Sequence, residues 1–573
     1  MNLITDTRTA LSAGADLPST IRRTAETDPR MTALTYVDYS TDRDGRSTYL
    51  TYGELEVRVR TVGRELRDSL APGARVGLLC PGNPDYVVGF LACLYAGMIA
   101  VPLFAPEFYR RGDRLSLVIE DCRCEALLTS RSAREAVAEI PLATPVRLVC
   151  VDDIDPDGSA PWRPERPDPA ATAYLQYTSG STRHPVGVRV SHQNMAAAVG
   201  QLSSCLGIDR NSKVVTWLPL FHDMGLVFSV ILPLARGFPV VHMAPFAFVQ
   251  RPRRWLRLLS EHGATHTVSP NFGLDLCVDR VPEEQRAGLD LSRLTWLGNG
   301  SEPVRAGSLA RFTDAYEPYG FRPVAHSPAY GLAEATLMVT GNGAGQAPPI
   351  LSFDRTALSE GRVRRSADGD EHALTLVGCG PPVHQEVRIV DPASGRPVVD
   401  EVGEIWVRGD NVCAGYWGRD EGTDQVFGAR LDGEPGWLRT GDLGFFYKDS
   451  LFITGRSKDL IVIDGRNHHP IDIEMTVEEE SPAVRHGHVA AFAVDSGDRE
   501  RLVIVAEARP DAAGDLAEQR IGIRRAVAAR HDVNVDDIVF LNRGGMPKTS
   551  SGKLQRRTCR ERYENGSLAV IGS

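Results

Sequence analysis

"YLQYTSGSTRHPVGVRVSH", residues 174–192, is the stretch on which the reading of this chain turns. A short apolar run leads into Thr178-Ser179-Gly180-Ser181-Thr182. Successive backbone N–H groups in such a turn form an anion-binding concavity, and hydroxyls add donors without bulk. No Gly-Lys-Ser/Thr follows, so this is not a Walker A loop, and Arg183 is the cation at hand. A serine-rich surface loop would look the same. The stretch by itself leaves both readings open.

Composition narrows the field. The 573 residues suffice for about three or four lobes, at roughly 100–200 residues per domain. Hydrophobic content of 42% and charged content of 24% are those of a globular chain with ample core. Net charge is -10, from 64 Lys+Arg against 74 Asp+Glu, which disfavours nucleic acid as the main partner because phosphate backbones need a basic face. Ten cysteines are scattered, and Cys122-Arg123-Cys124 is too tight for a zinc knuckle. Unpaired thiols in a chain of this size point to a reducing, cytoplasmic setting. The first twenty residues lack the apolar run of a secretory signal. Residues 86–104, "YVVGFLACLYAGMIAVPLF", reach a membrane-spanning length, but Gly97 and Pro102 interrupt them. They read as a buried helix running into a buried strand, so no transmembrane segment is expected.

Short apolar runs alternate with amphipathic stretches. "ARVGLLC" (74–80), "VRLVCV" (146–151) and "PVVHM" (239–243) read as buried strands, with helices such as "YGELEVRVRTVGRELRDSL" between them. That alternation predicts an α/β fold with mixed, largely parallel sheets covered by helices. Residues 437–470 are β-like, with turns expected at Gly441, Lys448-Asp449 and Gly465, and helix and strand runs follow. The expected division is a large domain over 1–456, including a β subdomain, and a small α+β domain over 457–573.

Four further stretches bear on the opening loop. "SPAYGLAEATL" sets Tyr330 four residues before Glu334. An aromatic face can stack a purine, and a carboxylate can hold Mg²⁺ against phosphate oxygens. "WLRTGDLGFF" offers Asp442 on a turn, where its carboxylate can accept from ribose hydroxyls. "ITGRSKDLI" places Arg456 at the change of domain, and "PKTSSGKLQR" presents Lys553 on a Gly/Ser loop. Each has a bland alternative as a core tyrosine, a solvated carboxylate, a surface arginine or a turn lysine. Their order along one chain is what argues against blandness.

In that order the stretches resemble the motifs of the adenylate-forming superfamily, from about Pro18 to the end. The closest resemblance is to its fatty acyl-AMP ligases, whose phosphate loop reads "TSGSTR-x-P-x-G-V" where this chain has "TSGSTRHPVGV". "WLPLFHDMGLV", "FAFVQRPRRWL", "SPNFGLDLC" and "GRNHHPIDIE" resemble that branch too. So does an insertion at about 349–376, which implies hindered movement of the tail domain and poor use of CoA.

The resemblance implies ATP-dependent activation of a medium- or long-chain fatty acid to an acyl-adenylate with release of pyrophosphate. Acyl transfer to the phosphopantetheine thiol of an acyl carrier protein would follow, in polyketide, lipopeptide or lipid biosynthesis. Lys553 is implied to meet charge at the α-phosphorus, and Glu334 to hold Mg²⁺, with Thr178 or Thr182. Residues 178–183 would hold the phosphates. Ala329, Tyr330, Gly331 and Leu332, with Gly300, Ser301, Glu302 and Pro303, would frame adenine. Asp442 and Arg456 would hold ribose, and His222 would sit beside the carboxylate and α-phosphate. Trp217, Phe221, Met224, Phe228 and Phe272 are candidates for an acyl tunnel, or else are core. Lys458 is implied as the hinge about which the small domain moves. Arg520, Arg524, Arg525, Arg530, Arg556, Arg557, Arg560 and Arg562 would give an acidic carrier protein a basic docking face, or else a solvated helix face. Two rival readings stand: an acyl-CoA ligase, differing in the final acceptor, and a nucleotide-binding module that has lost catalysis.

Overall fold

The buried-helix reading of residues 86–104 introduces the architecture. Pro84–Ala96 is helical because Asn83 caps it, accepting the Asp85 N–H at 3.1 Å, and Pro84 brings a preset φ to the first turn. Gly97 ends the helix at φ +72°, and Ile99–Pro102 continues as a strand. Every residue from 86 to 96 is buried, as befits a helix apolar on all sides. A computed structural model describes residues 16–103, 113–155, 162–177, 185–367, 369–370, 372–463, 466–495, 500–509, 516–549 and 553–571. Among the described residues no helix is long and apolar enough to cross a membrane.

Two large sheets form the N-terminal part. One has six strands, in the order Arg147–Cys150, Ala126–Thr129, Arg75–Leu78, Ile99–Pro102, Thr172–Tyr177 and Gly187–Ser191. All its pairings are parallel except the last, which joins the strands before and after the 178–184 loop. The other has eight strands, again parallel except at its two ends, where Arg46–Thr51 and Met338–Gly341 pair antiparallel. Buried residues of both sheets and their helices share one core that runs from Leu17 to Leu451. The expectation of largely parallel sheets with helices is met.

A five-stranded antiparallel sheet follows, built from Glu386–Val390, Gly403–Arg408, Ala429–Leu431, Glu434–Tyr447 and Ser450–Arg456. Lys448, at φ +53°, makes the expected turn between the last two strands. Gly441 does not. It lies within Glu434–Tyr447 at φ +71°, kinking the strand without ending it, so that Asp442 sits in a strand, in register with Arg456, rather than on a turn. The expected turn at Gly465 lies outside the described residues.

The described residues of the 349–376 insertion form a small hairpin. Ile350–Asp354 and Ala373–Val377 pair antiparallel, with the short helix Arg355–Ser359 between them. Phe353 packs edge-on to Phe445 and Phe452, at 4.9 and 5.2 Å between ring centroids, fastening the hairpin to the antiparallel sheet.

From Ile461 onward the hydrophobic clusters are separate from those before it. Val484–Asp495 and Glu500–Ala508 pair antiparallel, Val535–Leu541 joins them parallel, and the helices Pro470–Glu480, Leu516–His531 and Arg556–Glu564 complete this part.

Candidate active site

Glu334 lies on a tight turn between the last two strands of the eight-stranded sheet. The turn needs Gly331, where an added Cβ would stand 1.7 Å from the Leu337 carbonyl oxygen, and it holds Thr336 at φ +64°. Residues near 411 keep it in place: Asn411 Nδ2 donates to the Ala335 carbonyl at 3.0 Å and Thr336 Oγ1 to the Asn411 carbonyl at 2.7 Å. The Cys413 N–H donates to the Glu334 carbonyl at 2.9 Å, and Tyr416 Oη to the Glu334 carboxylate at 3.0 Å. Burial raises the Glu334 carboxyl above the usual range, against that hydrogen bond and the charge of Arg456.

Beside it stand the groups expected to meet a nucleoside. Asp442 is 6% exposed and both its oxygens are engaged: Tyr330 Oη donates to one at 2.8 Å and Arg456 Nε to the other at 2.9 Å. Burial, with Asp442 close by, pushes the Tyr330 phenol well above its ordinary range, so it remains a donor. Arg456 is 62% exposed and reaches into this cleft from the rim. Gly300 approaches Ala329 so closely that a Cβ would lie 2.8 Å from the Ala329 carbonyl oxygen. Asn271 shapes the segment that follows, donating to Glu302 Oε1 at 3.0 Å and to the Pro303 carbonyl at 2.9 Å. Met224 Sδ lies 3.9 Å from Ser301 Oγ.

His222 precedes the short helix Asp223–Leu226; its Nδ1 lies 2.5 Å from Asp223 Oδ1, which also accepts the Met224 N–H at 2.7 Å. Burial alone would raise the Asp223 carboxyl, yet the charges of His222 and Lys553 hold it down to about 2. Lys553 comes from the small C-terminal part. Burial lowers its pKa from the ordinary lysine value, while Asp223, Glu302 and Asp442 act the other way and Arg456 adds to the fall. The residues that sense its charge are thus those of the cleft. Its backbone is pinned to Thr549, whose N–H donates to the Lys553 carbonyl at 2.8 Å and whose Oγ1 accepts the Lys553 N–H at 3.0 Å.

Two ion pairs carry the C-terminal part in this orientation. Arg305, just past the Glu302-Pro303 segment, meets Glu478 at 2.5 Å, with side chains 18% and 5% exposed. Arg355, in the insertion, meets Asp472 at 2.7 Å, with side chains 12% and 7% exposed. Lys458 is exposed on the turn Ser457–Asp459, where the two parts join.

The aromatic candidates divide. Phe221 lines a small apolar cavity with Tyr86, Leu218, Leu220 and Met243. Trp217 stacks on Phe248 at 4.0 Å and meets Phe272 edge-on at 5.6 Å. Phe228 is 1% exposed and packs against Trp296 at 5.7 Å, inside the core. Residues 178–183, expected to hold the phosphates, lie outside the described residues. Several tail arginines are spent within the domain: Arg556 is buried against Glu474 and Asp459, and Arg520 and Arg524 donate to backbone carbonyls. Sequence reasoning missed Asp223, Asn271, Arg305 and Tyr416. Two had a signal: Asp223 stands beside His222 in "FHDMG", and Asn271 lies in "SPNFGLDLC".

Among the described residues no cluster of three His, Cys, Asp or Glu side chains is placed to hold a metal. Mg²⁺ in phosphate-handling sites takes one or two carboxylates and completes its shell with water and substrate oxygens. A single carboxylate oriented by a phenol, as Glu334 is, fits that demand.

Residues 21–417 match the family described as AMP-binding enzyme, and residues 458–573 match the Disco-interacting protein 2-like AMP domain. The chain belongs to the AMP-binding enzyme family. This AMP-binding enzyme is 39% identical to the long-chain-fatty-acid–AMP ligase FadD32 of Mycolicibacterium smegmatis, over 97% of this chain and 95% of that protein. It is 40% identical to the 4-hydroxyphenylalkanoate adenylyltransferase of Mycobacterium marinum, over 99% and 94%. Among solved structures, the fatty acyl-adenylate ligase of L. pneumophila in complex with acyl adenylate and pyrophosphate is 34% identical, with a TM-score of 0.75 over 97% of both chains.

Proposed function

We propose that this AMP-binding enzyme activates a fatty acid as its acyl-adenylate and passes the acyl group to the phosphopantetheine thiol of an acyl carrier protein. The observation that carries the reading is Lys553. A cation borne by the C-terminal part is felt by Asp223, Glu302 and Asp442 of the N-terminal part, where Glu334 and His222 also stand.

In the first half-reaction a carboxylate oxygen of the fatty acid bonds to the α-phosphorus of ATP, and the bond from that phosphorus to pyrophosphate breaks. Negative charge gathers on the α-phosphate oxygens as this happens. Lys553 and His222 meet that charge; groups fixed beforehand stabilise it more than they stabilise ATP at rest. Glu334 would hold Mg²⁺, with Thr178 or Thr182, and the ion when bound would neutralise phosphate charge. Tyr330, with Ala329, Gly331, Leu332 and the segment Gly300-Ser301-Glu302-Pro303, would frame adenine. Asp442 and Arg456 would take the ribose hydroxyls, since a carboxylate has lone pairs beyond those used by Tyr330 and Arg456. Residues 178–183 would cradle the phosphates. Phe221, Met224, Trp217 and Phe272 border the path for the acyl chain, while Phe228 serves the core. In the second half-reaction the thiol sulfur bonds to the acyl carbonyl, AMP departs with the bonding pair, and the thiol proton is lost to solvent. Lys458 would be the hinge that lets the domain over 457–573 exchange orientations between the two steps.

A carrier protein is favoured over CoA as acceptor because the insertion, through Arg355, is tied to the domain that must move. All ten cysteines are buried and free, in keeping with a cytoplasmic setting. The deciding experiment is fatty-acid-dependent exchange of pyrophosphate into ATP over a chain-length series, followed by a contest between a holo carrier protein and CoA. Exchange that ignores added fatty acid would leave only a nucleotide-binding module. Acyl-CoA formed as fast as adenylate would make the protein an acyl-CoA ligase.

A further inference from the structure

Tyr416 has no part in the roles assigned so far, yet its phenol is the side-chain hydrogen-bond donor on Glu334. Its ring is half-buried and held edge-on by Phe427 at 5.1 Å. The chain around it does more than present that ring. Upstream, Asn411 and Cys413 bind the backbone of the Glu334 turn, as described above. Downstream, the segment is stitched to the strand that leaves the phosphate loop: the Arg189 N–H donates to the Gly415 carbonyl at 2.9 Å and the Trp417 N–H to the Gly187 carbonyl at 2.8 Å.

Arg419 completes the connection. Its Nη2 donates to the Pro185 carbonyl at 3.0 Å and to Asp121 Oδ1 at 2.8 Å, and Asp121 Oδ2 accepts from Tyr177 Oη at 2.6 Å. Tyr177 ends the strand that enters residues 178–184, and Pro185 is the first described residue after them. One nine-residue run, 411–419, therefore touches the Glu334 turn, the Glu334 carboxylate and the strand that leaves the loop, and reaches the strand that enters it through Asp121.

We propose that residues 411–419 are a positioning element that sets the Glu334 carboxylate in register with the strands flanking the phosphate loop, acting on that carboxylate through Tyr416. The inference rests on reading Glu334 as the metal-holding carboxylate. The physical reason is geometric. A carboxylate on a short turn can rotate, and a metal shared between it and a nucleotide tolerates little error in where its oxygens stand. A phenol donating to one oxygen fixes the plane and leaves the other aimed into the cleft. Because the ring is carried by a segment paired with the loop's own strand, carboxylate and loop flanks move together.

The test measures ATP binding by calorimetry, with Mg²⁺ present and with the metal removed by EDTA, for the full chain and for Tyr416→Phe and Glu334→Gln. Tyr416→Phe removes one oxygen and keeps the ring contact with Phe427. It should weaken ATP binding about tenfold when Mg²⁺ is present, on the scale of one hydrogen bond to a charged group. Binding in EDTA, the unfolding midpoint and the KM for fatty acid should not move. Equal weakening with and without the metal, or an early unfolding transition with metal-independent loss, would make Tyr416 merely structural and overturn the proposal. So would unchanged binding in both conditions. Glu334→Gln judges the underlying reading separately: it should erase the difference between Mg²⁺ and EDTA, and if it does not, Glu334 is not the metal ligand whatever Tyr416→Phe shows.

Discussion

The two sides of the cleft are held in different ways. On the N-terminal side, Tyr330, Asp442, Glu334 and Tyr416 are joined by hydrogen bonds among half-buried and buried groups within one folded unit. On the C-terminal side, Lys553 is borne by a unit whose placement rests on Arg305–Glu478 and Arg355–Asp472, ion pairs that cross from one unit to the other. One side is preorganised and the other is delivered. On the proposed reading, a site of that kind would keep its nucleotide-facing geometry as the small part turns and carries its cation in and out.

The contrast is open to attack at several points. The largest effect belongs to the delivered side: Lys553→Ala should slow adenylate formation by about 10²–10³, the cost of losing one preorganised contact to developing charge. Transfer from chemically made acyl-adenylate should be nearly unaffected, and pyrophosphate exchange beside a thioester assay reads both. Next comes the crossing pair. Removing one partner of a fully buried ion pair costs about 3–5 kcal/mol, and the residual exposure of Arg305 brings our expectation for Glu478→Gln to about 1–2 kcal/mol, a loss of roughly five- to thirty-fold in adenylation. The isolated transfer step should hold steady; a parallel fall there would mean that the pair supports folding rather than orientation.

A smaller, pH-dependent effect tests how the delivered charge is received. Burial holds the Lys553 pKa below the ordinary lysine value, and Asp223 partly offsets this. The cation is present below the Lys553 pKa and is lost as pH rises through it, so adenylation should show an alkaline limb. Asp223→Asn removes the offset, lowers the Lys553 pKa further, and should move that limb to lower pH. Asp223 itself, held near 2, stays ionised throughout the range measured. The smallest effect is expected at the insertion: Arg355→Gln leaves Asp472 facing His531 at 3.6 Å, so adenylation should stay within about twofold while acyl-CoA formation rises by about threefold. No gain in acyl-CoA would show that the insertion restrains the small part by its bulk and not by this contact.

Local signals in the sequence were enough for much of this. Asn83, Pro84 and Gly97 write the start and stop of a helix into the chain itself, which is why a segment of spanning length resolves into helix and strand. The residues of the cleft were legible because each sits in a short run with its own chemistry. Gly441 shows where local reasoning ends: a glycine reports a positive φ, but whether pairing resumes beyond it depends on a partner strand fourteen residues away in the Asp442–Arg456 register. Tyr416 and Arg305 were invisible for the same reason. Their roles lie in contacts such as Arg305 to Glu478, 173 residues apart, that no window along the chain contains.

The pairing of Thr549 with Lys553 carries a further consequence. One bond between their backbones and one to the Thr549 hydroxyl fix where the lysine's Cα stands, so moving the cation beyond its own side chain's reach requires the segment to move with it. On the reading proposed above, clearing the entrance for an incoming sulfur would mean releasing the Arg305–Glu478 and Arg355–Asp472 clasps and turning the whole lobe. Timing, in such a molecule, is a property of its joints.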